Sequence, residues 1–148
     1  MRRNIGRPME ILLVEDSLFD ARLTIRALRR GGLQHRLTLI LDGDEAMQFL
    51  LQEGHFRLAP RPDLILLDLL LPHKSGLDIL EDLRSNSELS GIPVVILTAS
   101  EDEETRERVE SLQVEHYLRK PVNFDRFLRM VKELKHHWHH DLILPALD

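Results

Sequence analysis

The 148-residue sequence contains no cysteine. Disulfide bridges, cysteine metal ligands and thiol nucleophiles are therefore excluded. The sequence also lacks any apolar run near the roughly 20 residues that a membrane-spanning helix needs. The basic residues among its first eight positions are not followed by the apolar segment of a signal peptide. These absences predict a cytoplasmic protein that does not enter a membrane.

An excess of positive charge is missing as well. The formal net charge is −5, from 20 lysines and arginines against 25 aspartates and glutamates. Because surfaces that bind nucleic acid are usually basic, this balance argues against a nucleic-acid partner. The length and the 43% of apolar residues fit one globular domain with a sizeable core, and they leave no room for a separate DNA-binding domain.

Three short segments are apolar at every position, and they cover residues 11–14, 64–67 and 94–97. A strand with this pattern is buried on both faces, as happens in a parallel sheet that helices cover on each side. Two weaker strands are expected over residues 36–41 and 116–119. The segment 64–67 matters most, because Asp68 follows it directly.

A helix is expected after each strand. The first helix has an apolar stripe at Leu18, Ala21, Ile25 and Leu28, and the last has apolar residues at helical spacing as far as Trp138. The repeated strand–helix order predicts an α/β fold, with helices on both faces of a doubly wound, five-stranded parallel sheet. The flavodoxin-like order 2-1-3-4-5 is a common solution for such a sheet, although the pattern itself does not contain the strand order.

Polar groups follow four of the five expected strands. Glu15 and Asp16 follow the first, Asp68 the third, Thr98 the fourth and Lys120 the fifth. Because parallel strands end at one edge of the sheet, these groups are expected to meet there. Crowded carboxylates need a neutralising cation, and Mg²⁺ is a hard ion that prefers oxygen ligands. Such a pocket can accept a phosphoryl group, whose oxygens would meet the metal, the Thr98 hydroxyl and the Lys120 ammonium.

These residues stand in four sequence blocks that together resemble the receiver domains of two-component response regulators. The blocks are Val-Glu15-Asp16-Ser, Leu-Asp68-Leu-Leu-Leu-Pro72-His-Lys-Ser-Gly76, Leu-Thr98-Ala99-Ser and Tyr117-Leu-Arg-Lys120-Pro121. The resemblance covers about residues 9–138. It implies an N-terminal arm over residues 1–8, a receiver domain over residues 9–140 and a C-terminal tail over residues 141–148.

The resemblance implies that Asp68 is the phosphoacceptor. It also implies a Mg²⁺ site formed by four groups, namely the carboxylates of Glu15, Asp16 and Asp68 and the backbone carbonyl of Leu70. Thr98 and Lys120 would hold the phosphoryl oxygens. Thr98 and Tyr117 would form the switch that responds to phosphorylation, and a cis peptide bond is expected before Pro121.

The same resemblance implies a signalling protein that accepts a phosphoryl group from a sensor histidine kinase or a histidine phosphotransfer protein, without turnover of a small substrate. A single-domain regulator would act through the surface of the fourth helix, fifth strand and fifth helix, where a homodimer is also expected. The ending with Trp138 and Leu144-Pro145, and the turn at residues 42–46, resemble the stand-alone receivers paired with bacterial phytochromes. A bacterial phytochrome is therefore a candidate kinase.

Two positions depart from the family pattern. Residues 113–116 read Gln-Val-Glu-His, where small residues are usual, and this bears on the loop conformation and on the freedom of Tyr117. Leu71 replaces a common methionine, an exchange of similar apolar volume that is expected to matter little.

Each residue also has a plainer interpretation. Asp68 and Thr98 could serve only as caps, Lys120 could form a surface ion pair of little energetic weight, and Tyr117 could be a static aromatic on an edge strand. His136 and His140, four apart on one helical face, could bind a transition metal, but two ligands make a weak site.

Two other functions are compatible with an acidic site on an α/β sheet. A phosphatase of the haloacid-dehalogenase type also uses an aspartate nucleophile and Mg²⁺, but it needs a second aspartate two residues later, where this chain has Leu70. A pure interaction module with a disused site is disfavoured, because the four groups such a site would lose are all present at Asp16, Asp68, Thr98 and Lys120.

Overall fold

The computed structural model describes residues 7–146, with side chains described as far as His136. Most of the expected N-terminal arm lies outside the described residues. The side chains of Trp138, His140, Leu144 and Pro145 do so too, and with them the histidine pair considered as a metal site. The division into arm, domain and tail therefore stays a prediction.

Within residues 7–146, five strands alternate with five α-helices, and a short 3-10 helix (Gly54–Phe56) follows the second α-helix. The strands are β1 (Met9–Val14), β2 (His35–Ile40), β3 (Leu64–Leu67), β4 (Val94–Thr98) and β5 (His116–Arg119). The helices are α1 (Leu18–Arg30), α2 (Gly43–Leu51), α3 (Gly76–Ser85), α4 (Glu103–Ser111) and α5 (Phe124–Ala146). The strands pair in parallel in the order β2-β1-β3-β4-β5, which confirms the predicted doubly wound, flavodoxin-like fold.

The apolar strands lie in the centre of the sheet. Every residue of β3 and β4 is buried, because helices cover both faces there, whereas the edge strand β2 is mostly half-buried. The core forms two clusters of buried side chains, one containing residues of α2, α3 and α4 and the other containing residues of α1 and α5. The two layers hold the carboxyl ends of the strands in a fixed arrangement.

The buried stripe of α1 differs from the expected one. Ala21 and Leu28 are buried as predicted, but Leu18 is 54% exposed and Thr24 takes a buried position. Leu18 is the first residue of the helix, so it lies at the helix end instead of over the sheet. The inner face follows the i, i+3, i+7 spacing from Ala21.

The last helix is longer than the expected domain boundary suggests. It continues to Ala146, so the backbone of residues 141–146 is helical where a tail was expected. Within the part of the chain that the structure describes, no helix combines the length and the apolar character needed to cross a bilayer.

Arg84, near the end of α3, forms hydrogen bonds with backbone carbonyls just after the carboxyl end of α4. Its guanidinium donates hydrogen bonds to the carbonyls of Leu112 at 2.7 Å and Gln113 at 3.2 Å, just after α4. It also donates to the carbonyls of Ser90 and Ile92, at 3.1 and 3.2 Å. These four bonds join α3, the segment before β4 and the carboxyl end of α4. By contrast, Val109 is the one buried residue within α4 itself.

Candidate functional site

The backbone brings the ends of four strands to one edge of the sheet. The Asp68 amide donates to the Val14 carbonyl at 3.0 Å, and the Lys120 amide donates to the Thr98 carbonyl at 2.7 Å. These bonds continue the ladder just past the strands, so the register of the sheet places Asp68 beside Glu15. The convergence of polar groups predicted from the sequence is therefore present in the fold.

Three carboxylates lie close together at this edge. Glu15, Asp16 and Asp68 each offer one oxygen, and these oxygens all lie within 4.8 Å of one another. Glu15 is 1% exposed and Asp68 is 5% exposed, whereas Asp16 is exposed to solvent. Buried carboxylates at such separation repel each other unless a cation lies among them. Their oxygens form a donor set that suits a hard divalent ion.

Lys120 is the cation that the chain itself supplies. Its ammonium donates to Glu15 Oε1 at 2.5 Å, to Asp20 Oδ2 at 2.9 Å and to Asp68 Oδ2 at 3.0 Å. Sequence reasoning did not identify Asp20, because an acidic residue in the first turn of a helix is common for dipole reasons alone. No local pattern indicated that it would reach a lysine a hundred residues away.

The pKa values of Glu15 and Lys120 are both raised, which favours the neutral form of the acid and the charged form of the lysine. Burial raises the pKa of Glu15 to about 7, although hydrogen bonds from Lys120 and from the Ser17 amide act against the rise. Burial disfavours the charge of Lys120, but hydrogen bonds to Glu15, Asp20 and Asp68 outweigh it and raise the lysine pKa. The lysine therefore stays charged, while the most buried carboxylate lies near its titration point at neutral pH.

The loop after Asp68 is fixed by close backbone packing. The Leu70 amide donates to Asp68 Oδ1 at 3.1 Å, and the Gly76 amide donates to the Leu69 carbonyl at 3.0 Å. A Cβ on Gly76 would overlap the Asp68 carbonyl oxygen, so only glycine fits at this start of α3. The expected role of the Leu70 carbonyl as a metal ligand stays a prediction.

Thr98 lies at the same edge, at the end of β4. It is fully buried, and its hydroxyl accepts a hydrogen bond from the Ser100 amide at 3.2 Å. A buried hydroxyl that accepts one bond keeps its own proton available for a second partner.

Tyr117 lies on β5 and contacts α4. It is half-buried, and the Arg106 guanidinium of α4 lies over its ring, 4.9 Å from the ring centre. Burial raises the pKa of the Tyr117 hydroxyl. The contact with Arg106 joins this residue to α4, a partner that the sequence pattern did not indicate. The peptide bond between Lys120 and Pro121 is cis, as predicted.

Comparison with known proteins identifies the class to which this fold and site belong. The family model for the response regulator receiver domain matches residues 11–132. The chain therefore belongs to the response regulator receiver domain family, and it is a two-component signalling protein. This membership leaves the haloacid-dehalogenase alternative without support.

Within the family, the chain is similar to regulators associated with phytochromes. It is 42% identical to the response regulator Rcp1 of Synechocystis over 94% of this chain and 95% of that protein. The structure of the Mn²⁺-bound form of Rcp1 gives a TM-score of 0.78 over 88% of this chain and 94% of the other. The phosphorylated cyanobacterial phytochrome response regulator RcpA gives 0.77 at 40% identity, with the same coverage of 88% and 94%.

Proposed function

We propose that this receiver takes a phosphoryl group on Asp68 from a sensor histidine kinase or a histidine phosphotransfer protein, and that it signals through the surface of α4, β5 and α5. The observation that carries the proposal is that two further carboxylates lie close to Asp68 and that the Lys120 ammonium lies 3.0 Å from Asp68 Oδ2. The chemistry is a signalling step, with slow loss of phosphate and no small substrate. A cytoplasmic location is part of the proposal.

The donor set fits Mg²⁺, which would be held by the carboxylates of Glu15, Asp16 and Asp68 together with the Leu70 carbonyl. When bound, this ion supplies charge neutralisation for the phosphoryl oxygens. The Mn²⁺-bound form of Rcp1, which is 42% identical to this chain, supports binding of a divalent ion.

The residues of the chain define the transfer step. An Asp68 carboxylate oxygen attacks the phosphorus of a phosphohistidine, the P–N bond breaks, and its electron pair remains with the imidazole nitrogen of the donor. Lys120 is close enough to Asp68 to donate a hydrogen bond to one of the transferred oxygens, and Thr98 would donate a hydrogen bond from its hydroxyl to another. Later, water attacks the phosphorus, inorganic phosphate leaves and the Asp68 carboxylate is restored.

The proposed response starts at Thr98. A hydroxyl drawn toward the phosphoryl group leaves space near β5, into which Tyr117 can turn. Because the Tyr117 ring packs against Arg106 of α4, its movement would alter the α4–β5–α5 surface. The similarity to RcpA and to a bacteriophytochrome response regulator at 40% identity supports a bacterial phytochrome as the candidate kinase.

The decisive experiment is incubation with acetyl phosphate and Mg²⁺, followed by intact mass measurement. We expect one added phosphoryl group that hydroxylamine removes, as an acyl phosphate requires. Asp68→Asn should abolish the addition. Asp82→Asn, the same change at an exposed carboxylate on α3, should leave it intact. Uptake by Asp68→Asn, or none by the wild type, would contradict the proposal.

The switch can be followed with a single probe, because Tyr117 is the one tyrosine of the chain. Incorporation of 3-fluorotyrosine gives one ¹⁹F resonance, and we expect it to shift when Mg²⁺ and beryllofluoride are added. Thr98→Ala should remove the shift while binding persists. An unchanged resonance in the wild type would mean that Tyr117 is a static aromatic.

Light scattering tests the proposed homodimer. We expect the mass of the protein with Mg²⁺ and beryllofluoride to be that of two chains. His116 and Glu133, on β5 and α5, lie 3.9 Å apart on the proposed face, and substitution of Glu133 by lysine should weaken the dimer. A monomer both with and without Mg²⁺ and beryllofluoride would exclude this part of the proposal.

A further inference from the structure

Lys120 uses all three of its donors on carboxylates, and the three partners are not equivalent. Glu15 and Asp68 belong to the carboxylate group that can hold a metal ion, whereas Asp20 is not a member of that group. The Asp20 side chain is also more exposed, at 32% against 1% for Glu15 and 6% for Asp68. Asp20 is therefore a partner of the lysine that is not expected to be a ligand of the cation.

The position of Asp20 is fixed by the start of α1. Ser17 caps this helix, and its hydroxyl accepts a hydrogen bond from the Asp20 amide at 3.2 Å. The Ser17 amide donates in turn to Glu15 Oε2 at 3.1 Å. The same residue thus helps to orient both Glu15 and Asp20, two of the three partners of the ammonium.

The surroundings of Lys120 make this partner necessary. Lys120 and Asp20 line a cavity of about 340 Å³ whose other walls include Phe19, Leu23 and Phe124. An ammonium that lost its carboxylates would face these apolar side chains, and an unpaired charge there is disfavoured. When Glu15 and Asp68 turn their oxygens to a divalent ion, Asp20 is the carboxylate that remains.

We propose that Asp20 is a positioning residue that keeps the Lys120 ammonium beside Asp68 while Glu15 and Asp68 bind a cation. This inference rests on the proposed function, because it assumes that a divalent ion enters the site. It adds a fourth acidic residue to the set, which acts on the lysine and does not touch the metal. Without Asp20, the cation and the lysine would compete for the same oxygens.

The test measures the reactivity of Lys120 directly. Full-length protein is treated with trace acetic anhydride, with and without saturating Mg²⁺, and acetylation of Lys120 is quantified by peptide mass spectrometry. Calorimetry records Mg²⁺ binding separately, and circular dichroism checks that each variant is folded. In the wild type, we expect Mg²⁺ to leave the reactivity nearly unchanged.

Asp20→Asn should behave like the wild type without Mg²⁺, because two carboxylates still hold the lysine. With Mg²⁺, acetylation of Lys120 should rise roughly fivefold. Asp20→Glu, which keeps the carboxylate, should restore most of the protection. Asp125→Asn is the matched control, since Asp125 is also acidic and in the first turn of its helix, and it should behave like the wild type.

Equal reactivity of Asp20→Asn and the wild type in Mg²⁺ would overturn the inference, while leaving phosphoryl uptake on Asp68 untouched. A rise in the wild type itself would overturn it as well. Absence of Mg²⁺ binding in calorimetry would overturn the metal part of the proposed function and this inference with it, and that result is separate from the acetylation readout.

Discussion

The two edges of the sheet both carry charged clusters, but the clusters differ in balance and in burial. At the amino ends of the strands, Arg7 pairs with Asp63 at 2.7 Å and Arg36 pairs with Glu10 at 2.8 Å, and the two arginine side chains are 52% and 67% exposed. At the carboxyl ends, one lysine that is 15% exposed faces three carboxylates. The first edge has matched charges whose arginines are exposed, and the second has an excess of negative charge in which Glu15 and Asp68 are almost fully buried.

This difference separates structural charges from functional ones. Exposed, matched pairs contribute little to folding and need nothing further. A buried excess of carboxylates is unfavourable on its own, and perturbed pKa values such as that of Glu15 are common at functional sites. The carboxyl edge thus has the buried charge excess that the proposed ion binding requires, whereas the amino edge has matched pairs.

Substitution of two glycines, one at each edge of the sheet, is the strongest test of the contrast between the edges. Gly76 lies at the carboxyl edge against the Asp68 carbonyl, whereas Gly91 precedes β4 at the amino edge with open space around it. We expect Gly76→Ala to lower the free energy of unfolding by about 2–3 kcal/mol and Gly91→Ala to change it by less than about 0.5 kcal/mol. Urea denaturation measures both. Equal effects would show that the loop after Asp68 is not held tightly.

A second test compares Glu15 in its charged and neutral forms. Its folded pKa of about 7 lies above the ordinary value of 4.5, so the folded protein holds an extra proton between these values. The free energy of unfolding should therefore fall as the pH rises from about 4.5 to 7 in metal-free buffer. Glu15→Gln should remove this fall and be more stable than the wild type at pH 8, by on the order of 2 kcal/mol. Parallel pH profiles of the free energy of unfolding for the two proteins would argue against a raised pKa of Glu15.

The pKa of Glu15 also predicts how Mg²⁺ binding depends on pH. Below pH 7 the incoming ion must displace a proton from Glu15, so affinity should fall by up to about tenfold between pH 7 and pH 6. Between pH 7 and pH 8 it should change little. Calorimetry in two buffers of different ionisation enthalpy would detect the released proton. The prediction fails if affinity is the same at pH 6 and pH 8.

The smallest effect is expected at the amino edge. Glu10→Gln removes the partner of Arg36, a pair 2.8 Å apart with a largely exposed arginine. The free energy of unfolding should drop by less than about 1 kcal/mol, and added salt should shrink the difference further. Phosphoryl uptake should not change. A loss well above about 1 kcal/mol, or one that added salt does not reduce, would reverse the contrast between the edges.

The sequence predicted the fold well because its strongest signals are local. Apolar segments such as 64–67 favour buried strands, and their order along the chain with intervening helices leaves few arrangements. The stripe of α1 was less predictable. Spacing alone cannot distinguish a set that begins at Leu18 from one that begins at Ala21, and only packing over the sheet decides between them.

The site residues likewise differ in how far the sequence indicates them. Glu15, Asp16, Asp68 and Lys120 come together because each lies within two residues of the end of a strand, which the sequence makes visible. Asp20 reaches Lys120 from inside a helix, and Arg106 reaches Tyr117 from another, so neither contact has a local sequence signal. Contacts between side chains on different elements depend on packing angles that periodicity does not contain.

The four hydrogen bonds of Arg84 have a consequence for how α4 can respond. Two of them hold the carboxyl end of this helix to α3, whereas at its amino end Asp102 is exposed and Thr105 is half-buried. A response in α4 is therefore expected to be a swing about a stationary pivot at Leu112, not a sliding of the whole helix. Amide exchange that quickens near Thr105 and stays slow near Leu112 would show it, and a docking protein would then sense tilt.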